Sequence, residues 1–326
     1  MNSLGKRFTF TSFGESHGLA IGGVLDGVPA GVAIDFSMIR QALLERRGGH
    51  LTSKHGASTR ALQEPDEIEW LSGVLEGKTL GTPIAFIIRN KNAQSSDYDY
   101  LKQSYRPGHA DFTYQAKYGI RDWRGGGRAS ARETAARVVA GSIALQLLNT
   151  KGITIHTQLT QIGNETNPDK FEELLTRTKA DGESIGGIVS CTIKGLPIGV
   201  GEPIFDKLQS HLAFAIMSIN ACKGFDYGTG FEQVHLLGSE SNQISGGILG
   251  GISDGNPITF RCVFKPTPSI SKLQSCLNED GTGSTIQIKG RHDTCVAIRA
   301  LPVVRAMTAL VLIDMHEQGL WETHED

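Results

Sequence analysis

"WRGGGRASARETAARVVAGSIALQLL" fills residues 123–148 and joins two unlike textures. Its first ten positions hold three arginines and three consecutive glycines. The remaining positions are apolar at helical spacing and predict a helix over 130–148. The next aliphatic run, "GITIHTQL" (152–159), reads as a strand, so sheet and helix are interleaved here. Working outward, strand-like runs recur at 19–27, 83–89, 186–195 and 257–264. Helical spacing recurs at 36–46 with Asp35 as N-cap, at 168–175 with Asn167 as cap and Pro168 in the first turn, and at 205–219. A final helix over 294–318 is apolar nearly all round and interrupted by Pro302, which predicts burial. Strands and helices alternate irregularly, without a fixed-period repeat or a Ser/Pro-rich linker. The reading is one large domain over 1–326, α/β tending to α+β, built as packed layers of sheet and helix. The strand order does not follow from the pattern.

The composition narrows the function classes. With 32 Lys+Arg against 34 Asp+Glu the chain is close to neutral, unlike a dedicated nucleic-acid binder, which is usually basic. Glycine stands out at 40 of 326 residues, nearly double the usual ~7%. These glycines cluster in loops beside polar residues, where close backbone approach to a ligand is the natural use. Five widely spaced cysteines with no CxxC pair argue against a disulfide framework or a zinc site, and no metal is expected. "MNSLGKRFTF" has no apolar leader core, and no run approaches 18 apolar residues, so a cytoplasmic protein without a membrane span is expected.

The arginine-glycine stretch poses an electrostatic question. Arg128 and Arg132 flank the expected helix start, where cations oppose the positive end of the macrodipole by roughly 0.3–1 kcal/mol each. A bound anion would remove that conflict, with Gly125–Gly127 letting backbone amides approach it. The plainer alternative is a solvated loop whose arginines pair with Asp122 and Glu133. An RGG-type RNA segment fits less well, because such segments repeat and this one runs into a helix. Upstream, "YRPGHADFTY" (105–114) offers Arg106 as a fork for carboxylate or phosphate and His109 as an acid or base in a turn. In "GESHG" (14–18), Ser16 and His17 are adjacent, but adjacency alone makes no nucleophile–base pair. "SGVLEGKT" (72–79) approaches a phosphate-binding P-loop, yet "LGTPIAFII" comes next, arguing for turn and strand rather than the helix that motif requires. In "GRHDT" (290–294), Asp293 suits either a helix cap or a base beside a ligand. Together these loops point to an enzyme for a small polyanionic substrate.

"GESHG" (14–18), "RPGHADFTYQAKYGIRDWRGGGRASARET" (106–134), "SGGILGGIS" (245–253), "FKPTPS" (264–269) and "GRHD" (290–293), in this order, resemble the chorismate synthase family. The resemblance implies a β-α-β sandwich, a homotetramer, and conversion of 5-enolpyruvylshikimate 3-phosphate to chorismate by anti-1,4-elimination of phosphate and a ring proton. It implies reduced FMN as cofactor without net redox change. No nicotinamide-binding domain is apparent, so an external NADPH-linked flavin reductase is expected. It further implies that Ser16, Arg47, Arg106, Arg132 and Arg291 bind the substrate, and that Arg124, Ser130, Asn220, Ala221, Gly247, Lys265 and Ser269 bind the flavin. His109 resembles the acid near the departing phosphate, His17 the histidine beside the reduced flavin, and Asp293 the residue assisting proton removal. Arg305 stands where the family pattern has glutamate, an exchange that would reverse an ion pair at a buried or interface position. The alternative reading is a catalytically impaired homologue that still binds polyanions.

Overall fold

The computed structural model describes residues 1–48, 65–91, 100–288 and 292–318. Strands β1 (Ser3–Leu4), β2 (Thr9–Phe13), β3 (Ala20–Asp26), β4 (Ile68–Trp70) and β5 (Ile84–Arg89) form an antiparallel sheet in the order β1-β2-β3-β5-β4. Strands β6 (Thr154–Ile162), β7 (Gly187–Lys194), β8 (Cys222–Tyr227) and β9 (Ile258–Phe264) form a second, in the order β8-β9-β7-β6. The five aliphatic runs picked from the sequence are β3, β5, β6, β7 and β9. Alternation explains them: in β5, Ile84, Phe86 and Ile88 are fully buried while their neighbours are not.

The helices are α1 (Phe36–Arg46), α2 (Asp111–Tyr118), α3 (Thr134–Thr150), α4 (Phe171–Ala180), α5 (Leu208–Met217) and α6 (Ala297–Gln318), besides short turns. Helix α3 packs against β2 and β3 of the first sheet, α6 against β6 and β7 of the second, and α3 and α6 pack on each other. Sheet, helices and sheet are therefore stacked in layers around one apolar core, as expected. Gly141 of α3 sets the helix–helix spacing: a Cβ there would lie 2.4 Å from Ala306 Cα of α6. The burial predicted for 294–318 results from this central position. No helix among the described residues is long and apolar enough to cross a membrane.

Several local readings hold and others shift. Asp35 caps α1, its carboxylate accepting from the Ser37 and Met38 amides. Asn167 caps a 3-10 turn at Pro168–Lys170 that leads into α4. Residues 74–79 form a tight hairpin with Glu76 and Gly77 at positive φ, so Lys78 lies on a strand and not in a P-loop. Helix α3 begins at Thr134 rather than 130, after two 3-10 turns at Gly127–Ala129 and Ala131–Glu133. Helix α6 begins at Ala297, four residues beyond Asp293, which pairs with Arg299 at 2.6 Å. Arg305 finds its opposite charge within the chain, in an ion pair with Glu45 of α1.

Candidate active site

Five sequence-distant loops meet at one end of the layers. The turn between β2 and β3 buries Ser16 and His17, whose Oγ and Nδ1 lie 3.3 Å apart. The 3-10-rich loop before α3 lies over it. Gly125 has φ +66°, and a Cβ there would fall 2.3 Å from His17 Cε1; one on Gly126 would fall 2.9 Å from Arg106 Nη2. Glycine is thus required twice in succession because the backbone presses directly on two side chains.

Arg106 is buried and anchored by Asp111 in the first turn of α2. The Asp111 carboxylate accepts from the Arg106 amide at 3.0 Å and from Nε and Nη2 at 2.8 Å each. Burial alone would raise the Asp111 carboxyl, but Arg106 outweighs it and holds it below the usual carboxylate range. This pairing turns the next residues toward the fourth loop, which follows β9. His109 Nε2 shares a 2.8 Å hydrogen bond with Ser269 Oγ, and Lys265 Nζ donates to the Gly108 carbonyl at 2.8 Å. Desolvation first, then the Arg106 charge, push the His109 pKa down to about 3, against the opposing pull of Asp111. His109 is therefore neutral near pH 7.

The fifth segment is the turn between α5 and β8. Asn220 Nδ2 donates to the Ala129 carbonyl at 3.0 Å, while its Oδ1 is buried without a partner. Ala221 has φ +66°, and its carbonyl accepts from the Lys265 amide. Ser130 caps the turn holding Arg132, its Oγ accepting from the Arg132 amide. Beside these loops lies a cleft of about 830 Å³ whose lining includes Glu15, Asp122, Trp123, Arg124 and Gly126.

The arginines do not stand as bare charges. Arg124 Nε is 2.8 Å from Asp122 Oδ1, a pairing the solvated-loop alternative named. Arg128 donates to Ser12 Oγ at 2.6 Å and to the Ser12 and Gly14 carbonyls. Arg128 thus ties the loop to β2, and because α3 begins only at Thr134, both arginines precede the helix instead of flanking its start. Arg132 pairs with Asp66, a residue the sequence reading missed. The Asp66 carboxylate on one edge of the Arg132 guanidinium orients it.

The remaining candidates are placed less centrally. Arg47 is half-buried at the α1 C-cap. Gly247 lies against Ile258 and the Asn256 and Pro257 carbonyls and is not drawn into this cluster by any described contact. Asp293 reaches α1 through Arg299, whose Nε donates to the Arg46 carbonyl. Arg291 lies outside the described residues. Arg46 is 1% exposed and was also missed, although its signal was present: Ile39, Ala42, Leu43 and Arg46 are the buried face of α1.

A protein-family model described as chorismate synthase matches residues 8–316. The chain belongs to the chorismate synthase family. Among its relatives, the chorismate synthase of Christiangramia forsetii is 47% identical with 98% of each chain covered. That of Phocaeicola vulgatus is 46% identical over 97% of each. A solved crystal structure of chorismate synthase superimposes with a TM-score of 0.74 at 29% identity, covering 98% of this chain and 94% of that one. Chorismate synthase membership accounts for the layered fold and for an enzyme acting on a small molecule.

Proposed function

We propose that this enzyme converts 5-enolpyruvylshikimate 3-phosphate to chorismate by anti-1,4-elimination, with reduced FMN as cofactor. The ring C–O bond to phosphate and a ring C–H bond break across the allylic system, a second ring double bond forms, and phosphate and a proton depart. The observation that carries this reading is the meeting of His17, Arg106, His109 and Arg132 around the glycine loop. A substrate with one phosphate and two carboxylates calls for that set of cations and a neutral imidazole.

The donor set also fits FMN. The partnerless Asn220 Oδ1 suits an N–H on a polar ring edge, and Arg124, Ser130, Lys265 and Ser269 suit a phosphate and polar ring atoms. Ala221 is read as backbone support for the same group, and Gly247 as its outermost contact. When bound, reduced FMN supplies transient electron density to the allylic system. His109 donates a hydrogen bond, and finally a proton, to the leaving phosphate. Arg106 and Arg132, with Ser16, Arg47 and Arg291, bind and orient the substrate anions. His17, shielded by Gly125, holds a proton on the flavin side, and Asp293 assists removal of the ring proton.

An external flavin reductase, a cytoplasmic location and a homotetramer complete the proposal. Ile198, Phe205 and Leu249 are exposed around one loop–hairpin junction, which supports self-association. Sedimentation at about four times the 35.1 kDa chain mass tests that part. The activity is tested anaerobically with 5-enolpyruvylshikimate 3-phosphate and chemically reduced FMN, following chorismate and phosphate together. Equal yields of both, absent with oxidised FMN, are expected. Binding of both ligands without product would instead favour the impaired polyanion-binding homologue.

A further inference from the structure

Taking Arg132 as a substrate ligand, as proposed above, we propose that Asp66 and Asn90 are positioning residues that fix the plane of its guanidinium for the substrate anion. Neither belongs to the set that the family resemblance implies. Asp66 is buried beside two arginines, each carboxylate oxygen serving a different one: Oδ2 accepts from Arg46 Nη2 at 2.9 Å and Oδ1 from Arg132 Nη1. Burial alone would raise its carboxyl, but the Arg46 and Arg132 charges outweigh burial and keep it ionised. Its backbone sits at φ +46°, in the left-handed region that residues other than glycine seldom adopt. Such a conformation persists where the surroundings over-determine it.

Asn90 completes the hold from the opposite side. Its Oδ1 accepts from Arg132 Nε at 3.1 Å. Its Nδ2 donates to the carbonyls of Glu15 and Gly18 at 3.0 Å each, on either side of Ser16 and His17. With Nη1 on Asp66 and Nε on Asn90, the plane of the Arg132 guanidinium is set. The same amide registers Arg132 against the His17 loop. A free arginine side chain loses rotamer entropy on ordering, and ordering it before the substrate arrives removes that cost from binding. A buried ion triad serving only stability would need neither Asn90 nor the link to residues 15 and 18.

A double-mutant cycle on the full chain, saturated with oxidised FMN, tests this. Dissociation constants for 5-enolpyruvylshikimate 3-phosphate are measured by calorimetry for Asp66→Asn, Asn90→Ala, Arg132→Ala and both doubles, alongside FMN affinity by flavin fluorescence. Arg132→Ala is expected to weaken substrate binding by about tenfold or more, as for a lost charged hydrogen bond. Asp66→Asn and Asn90→Ala are each expected to weaken it severalfold, to cost nothing further in the Arg132→Ala background, and to leave FMN affinity unchanged. Additive losses, or parallel loss of FMN affinity, would overturn the positioning role. So would full substrate affinity in Asn90→Ala, a half-buried site that carries the test if Asp66→Asn fails to fold. If Arg132→Ala itself binds substrate normally, the substrate reading of Arg132 is what fails, and the positioning role falls with it.

Discussion

His109 is the side chain whose chemistry is most altered by its surroundings. Half-buried and desolvated beside Arg106 and Lys265, it has its pKa pushed down to about 3, so it holds no extra proton near pH 7. An acid for a departing phosphate must gain a proton when the substrate arrives. A phosphate dianion beside it favours imidazolium, the opposite of what Arg106 does. Adding inorganic phosphate should therefore move the His109 Cε1 NMR titration midpoint upward, toward the ordinary histidine range. An unmoved midpoint would sink the leaving-group role. The sign for stability is fixed too. The unfolded chain takes up this proton at 6.5 and the folded chain only near 3, so His109 contributes an acid-side loss of stability as pH falls through that window. In His109→Gln that part of the acid sensitivity should disappear from urea titrations.

Helices and loops here depend on positions where a side chain would intrude. At Gly141, where α3 crosses α6, an added methyl meets the Ala306 backbone and side chain inside 3 Å. Gly141→Ala should cost about 1–3 kcal/mol, as overpacking does, read as a lower urea midpoint. Gly125→Ala acts differently, because the methyl meets the His17 ring of the candidate site rather than a helix. Turnover should fall at least tenfold, and the left-handed backbone at φ +66° should lower the unfolding midpoint as well; unchanged turnover would show that His17 and the loop are uncoupled. These two glycines also show what a sequence can disclose. Strands β3, β5, β6, β7 and β9 and the Asp35 cap were legible because alternation and capping are local. The start of α3 was not, because Ser130 is a good cap for the 3-10 turn that precedes the helix. Arg132 was legible as a cation, but its partner Asp66 lies 66 positions away, beyond any spacing rule. Arg46 was legible in principle, on the buried stripe of α1, and was passed over because charge is not expected there.

The chain closes on itself, and that closure reaches the candidate site. Asp314, near the end of α6, accepts from the amides of Lys6, Arg7 and Phe8 at 2.7–3.0 Å, more than 300 residues away in sequence. Three successive amides converging on one buried carboxylate hold the segment leading into β2 at the edge of the first sheet. From β2, Ser12 accepts from Arg128, and Arg128 belongs to the glycine loop over His17 and Arg106. Removing the carboxylate leaves the Phe8 amide buried without an acceptor and strips two partly buried neighbours, a loss of about 3 kcal/mol. Asp314→Ala should lower the urea midpoint by that amount with the slope unchanged. Asp314→Asn, which keeps one acceptor oxygen, should lose less. Hydrogen exchange separates local from global loosening: the amides of residues 6–8 should quicken most, then those of 124–128, ahead of the β7–β9 pair. Quickening of 6–8 with 124–128 unchanged would mean that the clamp serves stability alone. Quickening of both would tie the chain's two ends to the loop that covers His17.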